Sequence, residues 1–332
     1  MGALYLGVDA GNSKTAALVC DATGAIAGAG RSGCGDIYGE AGPEAAVTEV
    51  LAVVDVALGQ AGAGRADVAG AAFRLAGVDW PEDRTYWENA LVERYPALPP
   101  CSILNDGYAA IRCGEPSGIG VAVAAGTAAA IAARGPDGAL WDMGWWGQYP
   151  MGALGLANEA LKAVNLAELD LAPATALTEG LLAHYDRPSV AELNHWFTRR
   201  EGAATHLQRT GCARVVTAVA AAGDPVAAAI VRAQGRHLAV YAGVAARRTG
   251  LTGAPVGVVL SGSVLMADAS PVAEELLAEL PGHIPDAVPH RSRLAPVAGA
   301  ALDALAEGGV PLTDEVLDRL TRTLPPKEFL DT

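Results

Sequence analysis

Three short stretches carry residue types that can handle phosphate. VDAGNSKT (8–15) ends an apolar run in Asp9 and then turns through Gly11, Asn12, Ser13, Lys14 and Thr15. Glycines let backbone N–H groups approach an anion, while the hydroxyls and the ammonium add further donors. AAGTAAAI (124–131) offers a second such turn at Gly126 and Thr127. SILNDGYAAI (102–111) places Asn105 and Asp106 at the carboxyl end of an apolar strand, the end that faces the ligand crevice in α/β sheets. A carboxylate there can take the proton of an attacking hydroxyl in phosphoryl transfer. Each stretch alone also reads as ordinary structure. Gly, Ser and Thr close hairpins, and an Asp at a strand end caps the helix that follows. Together they favour a clamp of two hairpin tips around phosphate, with Asp9 holding Mg²⁺ through water, because Mg²⁺ keeps much of its hydration shell.

Two other phosphate templates fail. A Walker A loop needs a different glycine spacing before Lys14-Thr15 and a helix after it, where a strand pattern follows. G-x-G-x-x-G occurs at Gly28, Gly30 and Gly33, but after the third strand and with no helix face behind it.

The elements that must position these residues follow from periodicity and turn chemistry. Strands are expected at 3–8, 15–20 and 25–29, and a helix from Pro43. A strand at 68–73, a helix from near Pro81 and the buried strand 102–105 complete a first half. The pattern then returns: 120–126, 127–134 and ALWD read as strands around the turn GPDG. TAALVCDATGAI (15–26) and TAAAIAARGPDGAL (127–140) share one plan, which points to two related α/β halves or to a chance match of Ala-rich runs. Residues 153–249 read as mostly helical, ending in a long helix over 224–250. A strand at 256–264, a helix at 270–280, the connector VPHRSRLAP and a helix at 296–305 close the chain. The expected domains are 1–115 and 116–295, the second with a helical insertion, and residues 296–332 are expected to pack back on the first.

Composition narrows the partners. The 332 residues are 51% hydrophobic and carry a net charge of −14. Nucleic acid and anionic membranes need basic surface and are not expected. Only Lys14, Lys162 and Lys327 are lysines. Five scattered cysteines without C-x-x-C imply a reduced, cytoplasmic protein with no disulfide frame. The six histidines have no metal spacing, and no apolar run has the form of a signal peptide or a membrane span.

In order along the chain, the motifs resemble those of the BadF/BadG/BcrA/BcrD-type ATPases, which include N-acetylglucosamine kinase and belong to the sugar kinase/Hsp70/actin superfamily. VDAGNSKT resembles the first phosphate motif D-G-G-G-T-K-T. RLAGVDWPEDR (74–84) resembles the segment lining the sugar, and NDGYAA (105–110) the N-D-A-x-x-A motif with the catalytic Asp. AAGTAAAI resembles the second phosphate motif, VVLSGSV (258–264) the adenosine motif, and APVAGAAL (295–302) the closing helix. The resemblance implies two actin-like (ribonuclease H-like) domains around a cleft, a cytoplasmic homodimer, and ATP and Mg²⁺ as cofactors. It implies Asp9 at Mg²⁺, and Gly11, Asn12, Ser13, Lys14, Thr15, Gly126 and Thr127 at phosphate. Asp106 would be the base, and Ser261, Gly262 and Ser263 would lie against the nucleotide. Asp36, Gly77, Asn105 and Thr127 would face the sugar.

One segment departs from the family. Where G-G-W-G-x-x-x-G-D-E-G-S is usual, the chain has GWWGQYPMGALGL (144–156), with Ala153 and Leu154 at the acidic positions. A polar wall becomes apolar, and Trp145, Trp146, Gln148 and Tyr149 are candidates to shape a site for another ring. The leading expectation is an ATP-dependent kinase of an amino sugar, such as N-acetylglucosamine or glucosamine, or of a related cyclic polyol. The alternatives are an ATPase activator of a dehydratase and a sugar- or nucleotide-binding protein without turnover.

Overall fold

The computed structural model describes residues 2–292 and 294–330. Among these residues, ten strands form two five-stranded sheets of identical connectivity. In the first, β1 (Leu4–Ala10), β2 (Thr15–Asp21) and β3 (Ile26–Ser32) run antiparallel. β4 (Val68–Leu75) and β5 (Ser102–Asn105) add in parallel on the other side, giving the order β3-β2-β1-β4-β5. In the second, β6 (Gly120–Ala125), β7 (Ala129–Arg134) and β8 (Leu140–Asp142) repeat the meander. β9 (Val256–Ser261) and β10 (Ala287–Arg291) repeat the parallel pair. The internal repeat read from the Ala-rich segments is therefore a repeat of topology.

Its register differs from the sequence alignment. Ala10 pairs with Thr15 at the first tip and Ala125 with Ala129 at the second, so Thr15 corresponds to Ala129 and not to Thr127. β10 is an element the sequence reading passed over as a connector. It is an edge strand, where the missing N–H of Pro289 costs no ladder bond inside the sheet.

Alternation along each strand divides the first core in two. Ala17 and Val19 face the helices Pro43–Gln60 and Pro81–Arg94. Ala16, Leu18 and Cys20 face the helices Pro296–Glu307 and Asp314–Thr323. Gly28 and Gly30 of the failed dinucleotide fingerprint serve this packing: a Cβ on them would lie 2.1 Å from the Ala57 carbonyl and 2.3 Å from that of Val53. The second sheet packs one face on the helices Gly152–Glu168, Pro225–Arg248 and Pro271–Glu279. Its other face receives the 3₁₀ segment Asp106–Cys113 through Tyr108, Ala110 and Ile111.

Buried charge ties the pieces together. Asp303, 1% exposed, accepts from Arg74 Nε at 2.8 Å, Arg112 Nε at 2.5 Å and Arg134 Nη1 at 3.1 Å. These arginines come from β4, the 106–113 segment and β7, so one carboxylate on the Pro296–Glu307 helix joins both sheets. Burial would raise the Asp303 carboxyl, but the guanidiniums of Arg74, Arg134 and Arg112 hold it below the usual range.

Candidate active site

The β1–β2 and β6–β7 tips face one another. The Ser13 and Thr127 hydroxyls lie 3.0 Å apart, each able to donate to the other. The first tip is closed by Gly11 N–H on the Lys14 carbonyl at 2.9 Å, and the second by Gly126 N–H on Ala128 at 3.0 Å. The second tip is also held from behind. Ala153 and Leu154, in the first turn of the Gly152–Glu168 helix, donate their N–H groups to the carbonyls of Gly126 and Thr127 at 2.8 and 2.9 Å. Gly262, with φ of 84°, closes the wall: a Cβ there would lie 2.4 Å from the Ala125 carbonyl.

Between the tips lies a cleft of about 510 Å³. Asp9, Asp36, Asp79 and Asp106 line it beside Gly77, Asn105 and Trp145. A larger, more open groove of about 670 Å³ near Thr175–Pro188 contains no residue of either tip. Asn105 sets the floor of the cleft. Its Oδ1 accepts from Gly107 N–H at 2.9 Å and its Nδ2 donates to Asp79 Oδ1 at 2.9 Å. Asn105 is thus the cap of the following segment, which leaves the Asp106 carboxylate facing the cleft.

One aromatic pair lines the cleft and a second stands beside it, outside the lining. Tyr38 and Trp145 stand edge to face at 5.6 Å, and Trp80 and Trp146 are tilted at 6.4 Å. The Tyr241 hydroxyl, on the long Pro225–Arg248 helix, fixes the tryptophan loop. It donates to the Trp146 carbonyl at 2.8 Å and accepts from Gln148 N–H at 2.9 Å.

A sequence model of the BadF/BadG/BcrA/BcrD ATPase family matches residues 6–304. The chain belongs to this ATPase family. Among solved structures, a candidate N-acetylglucosamine kinase from Chromobacterium violaceum is similar at 22% identity and a TM-score of 0.68. That match covers 92% of this chain and 99% of the other. A second candidate N-acetylglucosamine kinase, from Porphyromonas gingivalis, is similar at 16% identity and 0.61, covering 91% and 99%. A ROK family glucokinase from Streptomyces griseus, in complex with glucose and AMPPNP, is similar at 18% identity and 0.56, covering 91% and 98%. These likenesses show that the chain shares their fold. No curated protein matches by sequence.

In this member of the BadF/BadG/BcrA/BcrD family the cleft carboxylates crowd without matching positive charge. Burial pushes Asp106 up to about 8, with Asp9, Asp36 and Asp79 adding repulsion. Burial likewise pushes Asp9 up to about 7, against the pull of Lys14. Asp79 rises to about 6 through burial and then the charges of Asp142, Asp83 and Asp36. Such groups invite a cation. Among the described residues no three His, Cys, Asp or Glu side chains are grouped to hold a metal by themselves.

The structure gathers most of the expected site residues and excludes a few. Asp9, Gly11, Asn12, Ser13, Lys14, Asp36, Gly77, Asn105, Asp106, Gly126, Thr127, Trp145, Ser261 and Gly262 line the cleft. Thr15 does not. It is 0% exposed, and its hydroxyl donates to the Gly33 carbonyl at 2.9 Å. Ser263 starts the short helix Ser263–Met266 on the surface, outside the cleft lining. Trp146 and Gln148 also lie outside it; Gln148 donates from its side chain to the Trp145 carbonyl at 3.0 Å and so supports the loop. Lys14 donates to the backbone carbonyl of Leu330, bringing the last described residues to the first tip. The sequence reading missed Tyr38, Asp79 and Asp142. Asp79 carried a signal, an acid two residues after Gly77 at a strand end.

Proposed function

We propose that the chain is an ATP-dependent phosphotransferase that phosphorylates a hydroxyl of a small sugar, with amino sugars and related cyclic polyols as the acceptor class. The observation that carries this reading is the meeting of Ser13 and Thr127 over a cleft lined by Asp106, with Asn105 serving as the cap of the segment that follows. Membership of an ATPase family and an actin-like kinase fold support it. The two tips would hold the nucleotide phosphates, with Ser261 and Gly262 nearer the nucleoside. Asp9 would hold Mg²⁺, which supplies charge neutralisation at the phosphates when bound. Asp106 would accept the proton of the attacking hydroxyl. Asp36, Gly77 and Trp145 would shape the acceptor end.

The dehydratase-activator alternative needs thiolates presented to a shared cluster. Cys113 instead faces inward to the carbonyls of Ala109 and Ala295, and burial pushes its thiol up to about 12. An ATP-coupled assay across hexosamines, hexoses and cyclitols tests the kinase reading. ATP-dependent phosphorylation of one of them, abolished in Asp106→Asn, is the expected result. ATP binding without turnover on any acceptor would overturn it.

A further inference from the structure

Among the described residues the exposed Tyr and Trp side chains are Tyr38, Trp80, Trp145, Trp146 and Tyr149. Tyr149 is already covered on one face, stacked on His237 at 4.0 Å. The other four are the two aromatic pairs at the cleft, and the Trp145 and Trp146 indoles are 57% and 62% exposed. Large rings are normally buried, as Trp87 is here, so four open ones in one place call for a ligand. Because Trp145 and Trp146 are consecutive, the pairs join into one strip. Tyr38 and Trp145 line the cleft, and Trp146 and Trp80 carry the strip past its edge.

Each half of the strip is held by a buried side chain. Asp83 accepts from the Tyr38 hydroxyl at 2.9 Å, the Trp80 N–H at 2.8 Å and the Asp79 N–H at 3.1 Å. Tyr241 holds the other half through the Trp146 carbonyl and the Gln148 N–H. The rings are therefore fixed in place while facing water. Ordering them before a ligand arrives removes a cost of binding.

The surroundings select the occupant. Asp36 and Asp79 line the cleft beside the strip, and Lys14 is the only Lys or Arg among the described lining residues. A second nucleotide would bring its phosphates against those carboxylates. A protein partner seated on Tyr38 and Trp145 would close the cleft they line. A pyranose ring matches both features: its polarised C–H bonds suit the negative face of an indole, and its hydroxyls donate to carboxylates. A single ring inside the cleft leaves Trp146 and Trp80 uncovered, since both lie outside its lining. Trp145 also stands where the family pattern has glycine, so the indole that starts the strip is this chain's own.

We propose that this strip is a subsite for a second pyranose ring, so that the acceptor is of disaccharide size: one ring lies in the cleft, and the ring joined to it stacks on Trp146 and Trp80. This rests on the phosphotransferase reading for which ring is phosphorylated, and its test is kept separate from turnover.

Calorimetry on the full chain without nucleotide would compare cellobiose, maltose and N,N′-diacetylchitobiose with glucose, N-acetylglucosamine and phenyl β-glucoside. At least one disaccharide is expected to bind roughly 10-fold or more tighter than its own monosaccharide. Trp146→Ala and Trp80→Ala are each expected to bring that ratio down to about threefold or less, while Trp146→Phe, which keeps a ring, retains most of it. Equal binding of mono- and disaccharides, no binding of any saccharide at tens of millimolar, or a ratio that survives both alanine substitutions would overturn the inference. So would a gain with phenyl β-glucoside that no disaccharide matches, which would assign the strip to an aromatic substituent. A disaccharide preference in a protein that transfers phosphate from ATP to none of these sugars would sink the kinase reading alone. Turnover of a monosaccharide with no disaccharide preference would sink the subsite alone.

Discussion

Ser13 and Thr127 lie 114 residues apart in sequence, and their hydroxyls meet at 3.0 Å across the cleft. Each sits at the tip of an antiparallel pair that begins its own sheet. If both tips grip the same phosphates, Ser13→Ala and Thr127→Ala should each weaken ATP by about 10-fold, the scale of one hydrogen bond to a charged group. The double variant should fall short of the sum, because the two hydroxyls are coupled. Titration with a fluorescent ATP analogue measures this; unchanged affinity in both single variants would rule out the clamp.

Asp106→Asn keeps the shape of the floor and removes the base. Turnover should fall by roughly 10²–10⁴-fold, with ATP affinity and melting temperature held or improved. A variant with near-native turnover would assign the proton to another group.

The cleft carboxylates give the unliganded protein a distinctive pH dependence. Asp9, Asp79, Asp106 and Asp142 all keep their protons to higher pH in the folded chain than the ordinary Asp value of 3.8, mainly through burial. Between about pH 4 and 8 the folded state therefore binds more protons than the unfolded one, and raising pH lowers stability. Melting temperature should decline from pH 5 to pH 8. Asp79→Asn should recover roughly 2 °C or more at pH 8 and little at pH 5. Asp303 shifts the opposite way, so its contribution is lost only at more acidic pH, where its carboxylate takes up a proton. A flat profile over pH 5–8 would contradict the crowding.

Asp303→Asn removes the carboxylate shared by three guanidiniums, of which Arg74 alone keeps a second carboxylate, Glu307, among the described residues. Removing one partner of a buried ion cluster costs about 3–5 kcal/mol. Chemical denaturation should show that loss, while Asp318→Asn, in an exposed pair, serves as a control with little change.

Tyr241→Phe leaves the ring in place and frees the Trp146 carbonyl and the Gln148 N–H. The acceptor KM should rise about 3–10-fold, with the ATP KM unmoved. Equal changes in both would place the tryptophan loop outside acceptor binding.

Much of this arrangement is legible in local sequence, because hairpin tips and strand ends are local events. VDAGNSKT, AAGTAAAI and SILND each place their residues within a few positions of a turn. What escaped were consequences of alternation and of distance. Thr15 shares a face with Ala17 and Val19, so the pleat turns its hydroxyl inward although its neighbours Ser13 and Lys14 reach the cleft. Asp79 and Asp142 become a pair only when two sheets close on Gly144. Arg74 was a visible anomaly, a charge in the apolar run VAGAAFRL, and a buried charge demands a partner. Nothing local could say that the partner stands 229 residues downstream.

The late helices Pro296–Glu307 and Asp314–Thr323 also order the making of the protein. Every strand of the first sheet has been synthesised by residue 105, yet the face carrying Tyr5, Leu18 and Ala72 gains its cover only after residue 296. At roughly 5–20 residues per second, that face stays open on the ribosome for about 10–40 s. During that interval Arg74 waits without Asp303, and the nascent first half presents an oily sheet to whatever chaperones are at hand. A chain cut before Pro296 would stay in that condition permanently.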